Sequence, residues 1–391
     1  MSGAPATFLL VAGEASGDRI GARLIEQLAA RVPGARFVGM GGPLMCAAGL
    51  EPLFDANEIA VMGFVDVVPR VRRILEVLDG IATWAVENRP AAAVLIDIPD
   101  FNLRLALPLQ ERGIPVAYYV APMAWAWRPG RARTLRQRVD KLLCIYPFEE
   151  AWFRSRAVPA TFVGNPLLEE PALANGADRA ACREALGLAP ADEVVALLPG
   201  SRHGEVDRLL PTLLDAAERL AARRGGIRFV LPIASSLERS FIEGHLAGRP
   251  VRAILCDAAA VAVGAADAAA VCSGTATLET ALLGTPMVVV YRSSPANWML
   301  VKLLVDLDHA SIVNILAGRE VVPELLQDAL TADALADRLA SLLDDGEARR
   351  AMREAFAALR AELGGGGASV RAAEEVLDLA APRLRHTSAG V

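Results

Sequence analysis

The sequence predicts an α/β fold made of two doubly wound, Rossmann-like domains that face each other across a cleft. Short and almost continuously apolar runs alternate with helical patterns along the first half, as in "TFLLVAGEASGD", "AAAVLIDIPDFN" and "KLLCIYPF". Such runs are typical of parallel strands that helices cover on both faces. The same alternation restarts at "EVVALLPGSR" and continues to "TPMVVVYR", which predicts a second domain of the same architecture.

The predicted domain boundary lies at residues 164–170, where "ATFVGNPLLEEP" leads into a short charged stretch. We therefore assign residues 1–166 to the first domain and residues 167–391 to the second. The final helices, which follow "GGGG" at 364–367, are also compatible with a return to the first domain. Ligands of doubly wound sheets bind outside the carboxyl ends of the strands, so each domain is expected to offer one ligand surface.

Composition narrows the class of protein. A length of 391 residues with 53% hydrophobic residues suits two full-sized cores. A net charge of −6 argues against nucleic-acid binding over the whole surface. The first residues lack the basic region of a secretory signal, and the longest charge-free run (residues 113–127) contains two prolines and a glycine. We expect a cytoplasmic protein whose membrane contact, if any, is at the surface.

Two strand-to-helix loops of the second domain predict an anion site. In "LLPGSRHGEV", Gly200 and Ser201 form the turn before a helix, and Arg202 adds a positive charge. The second loop, "CSGTATLETALLG", offers small residues that can expose N–H groups and hydroxyls: Ser273, Gly274 and Thr275. The N–H groups and the partial positive charge of a helix start attract anions.

Glu279 extends this prediction to a nucleoside diphosphate. It lies four residues after Thr275, where its carboxylate can accept from two ribose hydroxyls, while the loops and Arg202 suit the diphosphate. The alternative is ordinary helix caps and a helix salt bridge. The chain has no G-x-x-x-x-G-K-[ST] motif, which argues against a P-loop nucleotidase.

Carboxylates follow two predicted strands of the first domain. Asp97 ends a buried strand in "IDIPDFN" and is a candidate general base, with a structural role as the alternative. Asp100 is predicted to cap the helix that follows and, with Glu14, to belong to the residues at the cleft near the sugar. In "GEASGD", Asp18 is predicted to cap a helix, and Glu14 faces either the cleft or a backbone amide.

The chain shows no signature of metal or nucleophilic chemistry. Its four histidines lack metal-ligand spacing, and neither a G-x-S-x-G motif nor a Cys/His signature is present. We expect no metal and no cofactor.

Two segments of the first domain combine large apolar side chains with basic ones. The first contains Trp125, Trp127, Arg128 and Arg131. The second, residues 61–78, contains Arg70, Arg72 and Arg73. Each segment is compatible with a solvated helix face or with contact to anionic lipid headgroups or a phosphorylated acceptor.

The ordered set of motifs resembles the lipid-A-disaccharide synthase family, which are glycosyltransferases of the GT-B architecture. It comprises "VAGEASGD", "AVMGFVDV", "IDIPDFN", "AWAWR", "LLPGSR", "SGTATLE", "PMVVVYR" and "NILAGREVVPELLQ", and it covers nearly the whole chain. The resemblance implies inverting, metal-free transfer of 2,3-diacylglucosamine from UDP-2,3-diacylglucosamine to 2,3-diacylglucosamine 1-phosphate (lipid X). The products would be the β-1,6-linked lipid A disaccharide 1-phosphate and UDP.

The resemblance also implies roles for single residues. Asp97 would be catalytic, and Arg202, the "SGT" loop and Glu279 would hold UDP. Asn314 would lie at the cleft, and Glu14 near the sugar. The chain departs from the family pattern at Asn165, where a histidine is usual, and at Ala121, where a serine is usual. The first departure means that the chain has no histidine at that position.

The implied partners are UDP-2,3-diacylglucosamine, lipid X and the anionic inner face of the inner membrane, where the enzyme would be peripheral; a homodimer is left open. Two alternatives remain. One is another UDP-sugar enzyme of the same architecture, either a UDP-N-acetylglucosamine 2-epimerase or the peptidoglycan N-acetylglucosaminyltransferase. The other is a non-catalytic, two-domain ligand-binding protein.

Overall fold

The computed structural model describes residues 5–56, 64–126, 128–174, 176–294, 298 and 308–388, with the side chains of 64–70 and 386–388 outside that description. The described residues form two parallel sheets in two compact units. The first unit comprises residues 1–166 together with 365–391, and the second comprises residues 167–364. The predicted α/β class with two doubly wound units is confirmed.

The first sheet has the strand order β3-β2-β1-β4-β5-β6-β7, with every neighbouring pair parallel. Its strands are β1 (Thr7–Ala12), β2 (Arg36–Gly41), β3 (Leu50–Asp55), β4 (Ala92–Ile96), β5 (Val116–Tyr119), β6 (Lys141–Cys144) and β7 (Ala160–Phe162). The helices between them are α1 (Ala15–Arg31), α2 (Pro43–Ala47), α3 (Phe64–Asn88), α4 (Pro99–Glu111), α5 (Arg131–Arg138) and α6 (Pro147–Arg154).

The second sheet has the order β10-β9-β8-β11-β12-β13 and is also parallel. Its strands are β8 (Val194–Leu198), β9 (Arg228–Pro232), β10 (Ala253–Cys256), β11 (Ala268–Cys272), β12 (Met287–Tyr291) and β13 (Glu324–Leu326). The helices are α7 (Pro171–Ala174), α8 (Arg179–Ala185), α9 (His203–Arg223), α10 (Arg239–Leu246), α11 (Ala259–Ala265), α12 (Thr275–Leu282), α13 (Ile312–Ala317), α14 (Ala332–Asp344) and α15 (Gly346–Glu362).

The last helix, α16 (Ala368–Ser388), belongs to the first unit. Ala372 and Val376 are fully buried in the same core cluster as residues of β1 and α1. Glu375 pairs with Lys141 of β6 at 2.6 Å. The chain returns from the second unit to the first near residue 365, and α16 then covers one face of the first sheet.

The strand β1 shows why the predicted strands read as continuous apolar runs. Successive side chains of a strand point to opposite faces of its sheet. Phe8 and Leu10 are buried in the cluster that contains α16, whereas Leu9 and Val11 are buried in the cluster on the other face. Both faces of the sheet are therefore buried at β1, so this strand does not alternate between apolar and polar residues.

No helix in the described part of the chain is both long enough and apolar enough to cross a bilayer.

Candidate active site

The topology groups the predicted residues of each unit at one edge of its sheet. In the first sheet, β1 and β4 are neighbours but not consecutive, and Glu14 and Asp97 follow them. In the second sheet, β8 and β11 are the corresponding neighbours, followed by residues 200–202 and 273–275. These pairs of strands are the topological switch points of the two sheets. Doubly wound sheets bind ligands at such points, outside the carboxyl ends of the strands.

The backbone at Asp97 is held in an uncommon conformation. Asp97 and Ile98 have φ angles of 52° and 38°, in the left-handed region that non-glycine residues rarely adopt. The Tyr118 hydroxyl and Asn102 Nδ2 donate to the Asp97 carbonyl oxygen at 2.6 and 2.9 Å. Asp97 N donates to the Tyr119 carbonyl oxygen at 3.0 Å. Strain of this kind persists only where surrounding bonds over-determine it, which is common at functional sites.

The Asp97 carboxyl has a perturbed proton affinity. Burial raises its pKa to about 6, and the negative charge of Glu14 adds to the rise, whereas the Ile98 backbone N–H lowers the pKa. The residue is nevertheless only partly buried, so a ligand can reach it. A carboxylate with a pKa close to neutral is suited to general base catalysis because it both accepts and releases a proton readily.

Glu14 lies beside Asp97 at the end of β1. It is the N-cap residue of α1, but its side chain makes no capping hydrogen bond and is exposed. Of the two sequence-based interpretations, the exposed side chain favours the one in which Glu14 faces the ligand surface.

The predicted cap role of Asp100 is wrong. The helix α4 begins at Pro99 with Ile98 as its N-cap, so Asp100 lies in the first turn. Pro99 sets this start because its fixed φ is suited to the first helical position. The exposed Asp100 carboxylate pairs with Arg131 at 2.6 Å and with Arg128 at 3.6 Å.

Asp18 caps a different helix from the predicted one. It lies within α1, and its carboxylate accepts from the backbone N–H groups of Gly42, Leu44 and Met45 at 2.8, 3.0 and 2.9 Å. These groups form the start of α2. Asp18 is 5% exposed, so it stabilises the packing of α1 on α2 and is not a ligand group.

The loop after β8 is built around a glycine. Gly200 has a φ of 111°, and a Cβ added there would lie 2.6 Å from Glu205 Oε2 and 3.4 Å from Cys272 Sγ. The positive φ therefore favours glycine, and the nearest atom to an added Cβ is the end of the Glu205 side chain.

Glu205 organises this loop, although the sequence patterns did not single it out. Ser201 N donates to Glu205 Oε2 at 3.2 Å, and Arg202 Nη1 donates to Oε1 at 2.9 Å. Arg202 is the N-cap residue of α9, and its side chain is 61% exposed. The Glu205 carboxylate thus takes two of the donors that were predicted to bind a diphosphate. The sequence signal for it is a glutamate three residues after the N-cap.

The loop after β11 presents an exposed helix start. Gly274 is the N-cap of α12 and Thr275 its first residue, and both are exposed. The first N–H groups of a helix have no partner within it. Ser273 Oγ donates to the Ala310 carbonyl oxygen at 2.9 Å, which ties the loop to the segment before α13. Glu279 lies one turn into α12 and is partly buried.

Asn314 is placed in the interior and not at a ligand surface. It is fully buried, and its Oδ1 accepts from the backbone N–H groups of Val321 and Val322 at 2.7 and 2.9 Å. Its Nδ2 donates to the Val322 carbonyl oxygen at 2.9 Å and to Glu324 Oε1 at 2.8 Å. Glu324 also accepts from Ala310 N and Ser311 N, both at 2.9 Å. Asn314 therefore acts on the "SGT" loop through Glu324 and residue 310.

The aromatic and basic segment after β5 is anchored to the first unit. Trp125 Nε1 donates to Glu149 Oε1 at 3.0 Å, and Glu149 is fully buried. The Arg131 side chain is 11% exposed and pairs with Asp100. Arg131 thus stabilises the fold, whereas Arg128, whose side chain is 46% exposed, remains accessible.

The second basic segment is partly described. Arg72 is 92% exposed and pairs with Glu76 at 3.1 Å. Arg73 also pairs with Glu76, at 3.3 Å, and lies over the Phe54 ring. The predicted contacts of Trp127 and of the Arg70 side chain lie outside the described residues.

Comparison with known proteins identifies the family. A family model described as lipid-A-disaccharide synthetase matches residues 8–374. The lipid-A-disaccharide synthase of Myxococcus xanthus is 48% identical over 379 residues, which covers 97% of this chain and 98% of that protein. The chain belongs to the lipid-A-disaccharide synthase family. The synthase of Pseudomonas putida strain KT2440 is 45% identical over 372 residues, 95% of this chain and 97% of its own.

Solved structures show the fold of this family member. A UDP-N-acetylglucosamine 2-epimerase from Neisseria meningitidis, bound to UDP-GlcNAc, has a TM-score of 0.65 at 13% identity and covers 95% of this chain and 100% of its own. CalG4, the calicheamicin glycosyltransferase, has a TM-score of 0.59 at 16% identity and covers 96% and 98%. The predicted GT-B architecture is confirmed.

Family membership confirms the predicted enzyme class, a UDP-sugar glycosyltransferase of lipid A disaccharide formation. The epimerase, the peptidoglycan transferase and the non-catalytic binding protein are not favoured.

Proposed function

We propose that this chain transfers 2,3-diacylglucosamine from UDP-2,3-diacylglucosamine to the 6-hydroxyl of lipid X, with inversion at the anomeric carbon. The observation that carries the proposal is Asp97. Its carboxyl is partly buried, has a pKa of about 6, and lies at the switch point of the first sheet on a backbone that three hydrogen bonds hold. A base so placed suits removal of the acceptor proton.

The reaction is a single displacement. The acceptor 6-oxygen forms a bond to the anomeric carbon as its proton passes to Asp97. The bond between that carbon and the β-phosphate oxygen breaks, and UDP departs with the electron pair. Inversion follows because the nucleophile enters on the face opposite the leaving group. Glu14 increases the basicity of Asp97, because its negative charge disfavours a second negative charge nearby.

The second unit supplies groups that suit UDP. Arg202 and the exposed start of α12 offer positive charge for a leaving diphosphate, which is the form of electrostatic stabilisation that acyl and phosphoryl transfer sites use. Glu279, one turn into α12, is assigned to the ribose hydroxyls. Gly200 and Ser201 give the diphosphate close access to the backbone, and Asn314 keeps the neighbouring "SGT" loop in place through Glu324.

The first unit suits a lipid-bearing acceptor at the inner face of the inner membrane. Among the described residues, the exposed large apolar side chains all lie in this unit: Leu44, Val71, Leu75, Leu107 and Met123. Val71 and Leu75 are four residues apart on α3 and share one face, with Arg72 beside them. We name these three residues the α3 surface. Apolar side chains flanked by an exposed arginine are suited to an anionic membrane surface.

The proposed reaction is tested by measuring UDP release from UDP-2,3-diacylglucosamine, with and without lipid X, in the presence of EDTA. Release that requires lipid X and does not respond to the chelator supports the synthase reaction with charge stabilisation by protein groups. Release without lipid X indicates a hydrolase or an epimerase-like activity instead. Absence of release under both conditions contradicts the proposal.

A further inference from the structure

Glu149 is a buried carboxylate to which the proposed reaction gives no role. It is fully buried at the start of α6, and burial raises the pKa of its carboxyl to about 7. Three N–H groups point at it: Trp125 Nε1 at 3.0 Å, Ile145 N at 3.2 Å and Tyr146 N at 3.1 Å. A buried carboxylate without such partners is strongly destabilising, so these bonds determine whether Glu149 is tolerated.

Two of the three bonds are local, and the third is not. Ile145 and Tyr146 immediately precede α6, and a glutamate at the third helical position that accepts from them is an ordinary cap. Trp125 lies 24 residues earlier, in the segment between β5 and α5. A cap does not require that bond. The bond from Trp125 to Glu149 attaches the segment of residues 121–126 to the start of α6.

The same region is attached a second time, next to the proposed base. Arg128 and Arg131 both pair with Asp100, which lies in the first turn of α4, three residues after Asp97. Trp125 is therefore held by Glu149, and Arg128 and Arg131 are held by the helix that follows Asp97. The segment follows β5, whose neighbours in the sheet are β4 and β6.

Aromatic contacts extend this attachment. The Trp125 ring meets the Phe148 ring edge to face with centroids 4.9 Å apart, and Phe148 stacks on Tyr146 at 6.2 Å. Burial raises the pKa of the Tyr146 hydroxyl, and the negative charges of Glu149 and Asp97 add to the rise, so Tyr146 is within electrostatic reach of both carboxyls. A shift of Trp125 would thus be transmitted to the surroundings of the base.

We propose that Glu149 is a positioning residue for the acceptor: by holding Trp125 it keeps residues 121–126 beside Asp97 in the arrangement that receives the acylated acceptor sugar. This inference rests on the proposed function. Glu149 does not touch the reacting atoms, and it acts through Trp125.

The chemistry of the three partners makes the ionised form the competent one. All three are N–H donors, and a protonated carboxyl must itself donate, so protonation removes at least one of the bonds. Among the described residues, the Cys144 thiol on β6 and the Tyr146 hydroxyl are titratable groups that interact with Glu149: burial raises both pKa values, and the charge of Glu149 adds to the rise. The Asp97 carboxyl also acts on Tyr146. Acceptor affinity is accordingly expected to weaken as the pH falls through about 7.

The test compares steady-state kinetics of the full chain at pH 8, with lipid X varied at saturating donor and the donor varied at saturating lipid X. Glu149→Gln supplies one acceptor oxygen where the carboxylate supplied two, and Trp125→Phe retains the ring but lacks the N–H. Each is expected to raise the KM for lipid X about tenfold, the effect of losing one hydrogen bond to a charged group. We expect the KM for the donor and kcat to change less than twofold. The double variant should be no worse than the worse single variant, because both remove the same bond.

The matched control is Glu150→Gln. Glu150 is the next residue of α6, and its carboxylate accepts from Phe162 N at 2.8 Å and pairs with Arg154 at 2.8 Å, away from Trp125. This variant should leave the KM for lipid X within twofold of wild type. If Glu149→Gln fails to fold, Trp125→Phe decides the question alone, since it leaves the backbone cap intact.

The outcomes separate the inference from the reaction on which it rests. A normal KM for lipid X in Trp125→Phe, or an equal rise in Glu150→Gln, overturns the positioning role and leaves the transferase proposal standing. A wild-type chain that does not use lipid X overturns both.

Discussion

The Tyr118 hydroxyl, on β5, donates to the backbone carbonyl oxygen of Asp97 at 2.6 Å, and Asp97 directly follows the neighbouring strand β4. Burial, followed by the charge of Asp97, raises the pKa of Tyr118 well above its usual value, so the hydroxyl remains a donor throughout the working range of pH. Tyr118 therefore stabilises the left-handed backbone that presents the Asp97 carboxylate.

Replacement of Asp97 tests its role as the base. We expect Asp97→Asn to lower kcat by a factor of about 10²–10⁴, the usual contribution of general base catalysis, and to leave the Kd for UDP within twofold of wild type. Steady-state kinetics and titration calorimetry with UDP measure the two quantities. Near-normal turnover in this variant would falsify the assignment.

The pH dependence of turnover follows from the same carboxyl. Because the pKa of Asp97 is raised to about 6, the base is protonated and inactive below that pH. We expect kcat, measured at saturating donor and saturating lipid X, to rise as the pH increases from 5 to 7 and then to level off. The decrease in kcat at acid pH should be absent from the residual activity of Asp97→Asn. If that variant shows the same decrease, the group that titrates is not Asp97.

Removal of the Tyr118 hydroxyl tests whether the backbone at Asp97 must be held. Tyr118→Phe retains the buried ring and loses one hydrogen bond, so the free energy of unfolding is expected to fall by about 1 kcal/mol. We expect kcat to fall severalfold in the wild-type background and to stay unchanged in the Asp97→Asn background. An equal fall in both backgrounds would show that Tyr118 acts independently of Asp97.

The raised pKa of Glu149 predicts a dependence of stability on pH. The folded chain holds the proton of this group up to about pH 7, whereas an unperturbed glutamate releases it near 4.5. The folded state therefore binds more protons in this window, and the contribution of Glu149 to the free energy of unfolding falls as the pH rises from 4.5 to 7. The pKa rises from 4.5 to about 7, and each pKa unit corresponds to about 1.4 kcal/mol. The free energy of unfolding is therefore expected to fall by about 3 kcal/mol.

Urea denaturation of wild type and Glu149→Gln at pH 5 and pH 8 measures this effect. The wild type should lose stability relative to the variant between the two values, because the variant has no group to ionise. A difference between the two proteins that does not change with pH contradicts a raised pKa.

The role of Glu205 predicts opposite effects of two neighbouring substitutions on UDP binding. Arg202→Ala removes a charge-assisted bond to the diphosphate and is expected to raise the Kd for UDP about tenfold to a hundredfold. Glu205→Gln removes a negative charge from the same loop and is expected to lower the Kd for UDP severalfold. Arg223→Ala, at the far end of α9 where Arg223 pairs with Asp337, is the control and should have no effect. Weaker binding in Glu205→Gln would show that the carboxylate serves mainly to hold the loop.

Membrane contact through the α3 surface predicts a loss of vesicle binding. The double substitution Val71→Asp and Leu75→Asp places two charges where apolar side chains would enter the interface, and at about 1.5–3 kcal/mol per apolar side chain the affinity should fall at least tenfold. Sedimentation with vesicles that contain phosphatidylglycerol measures it. Leu44→Asp, which alters an exposed leucine on α2, is the control. Equal losses in both proteins would assign the contact to a wider area of the first unit.

The parts of the site that the sequence predicted are those with a local signal. Asp97 was identifiable because a carboxylate ends an apolar run, and Gly200 because a turn must separate a strand from a helix. Helix caps were predicted less well. Asp18 and Asp100 each stand close to a helix start, but the carboxylates bond to α2 and to Arg131 instead, since nothing in a short segment shows which other element packs against it.

By itself the sequence determined the two doubly wound units and the family to which the chain belongs, and it predicted the edge of each sheet at which a ligand would bind. These properties depend on the order of strands, helices and motifs along the chain. The tertiary structure alone decided the bonds between distant positions: Trp125 with Glu149, Tyr118 with Asp97 and Asn314 with Glu324. Such bonds arise when sheet neighbours and packed helices bring separated segments together. No periodicity or spacing in the sequence records which polar groups then share a buried space.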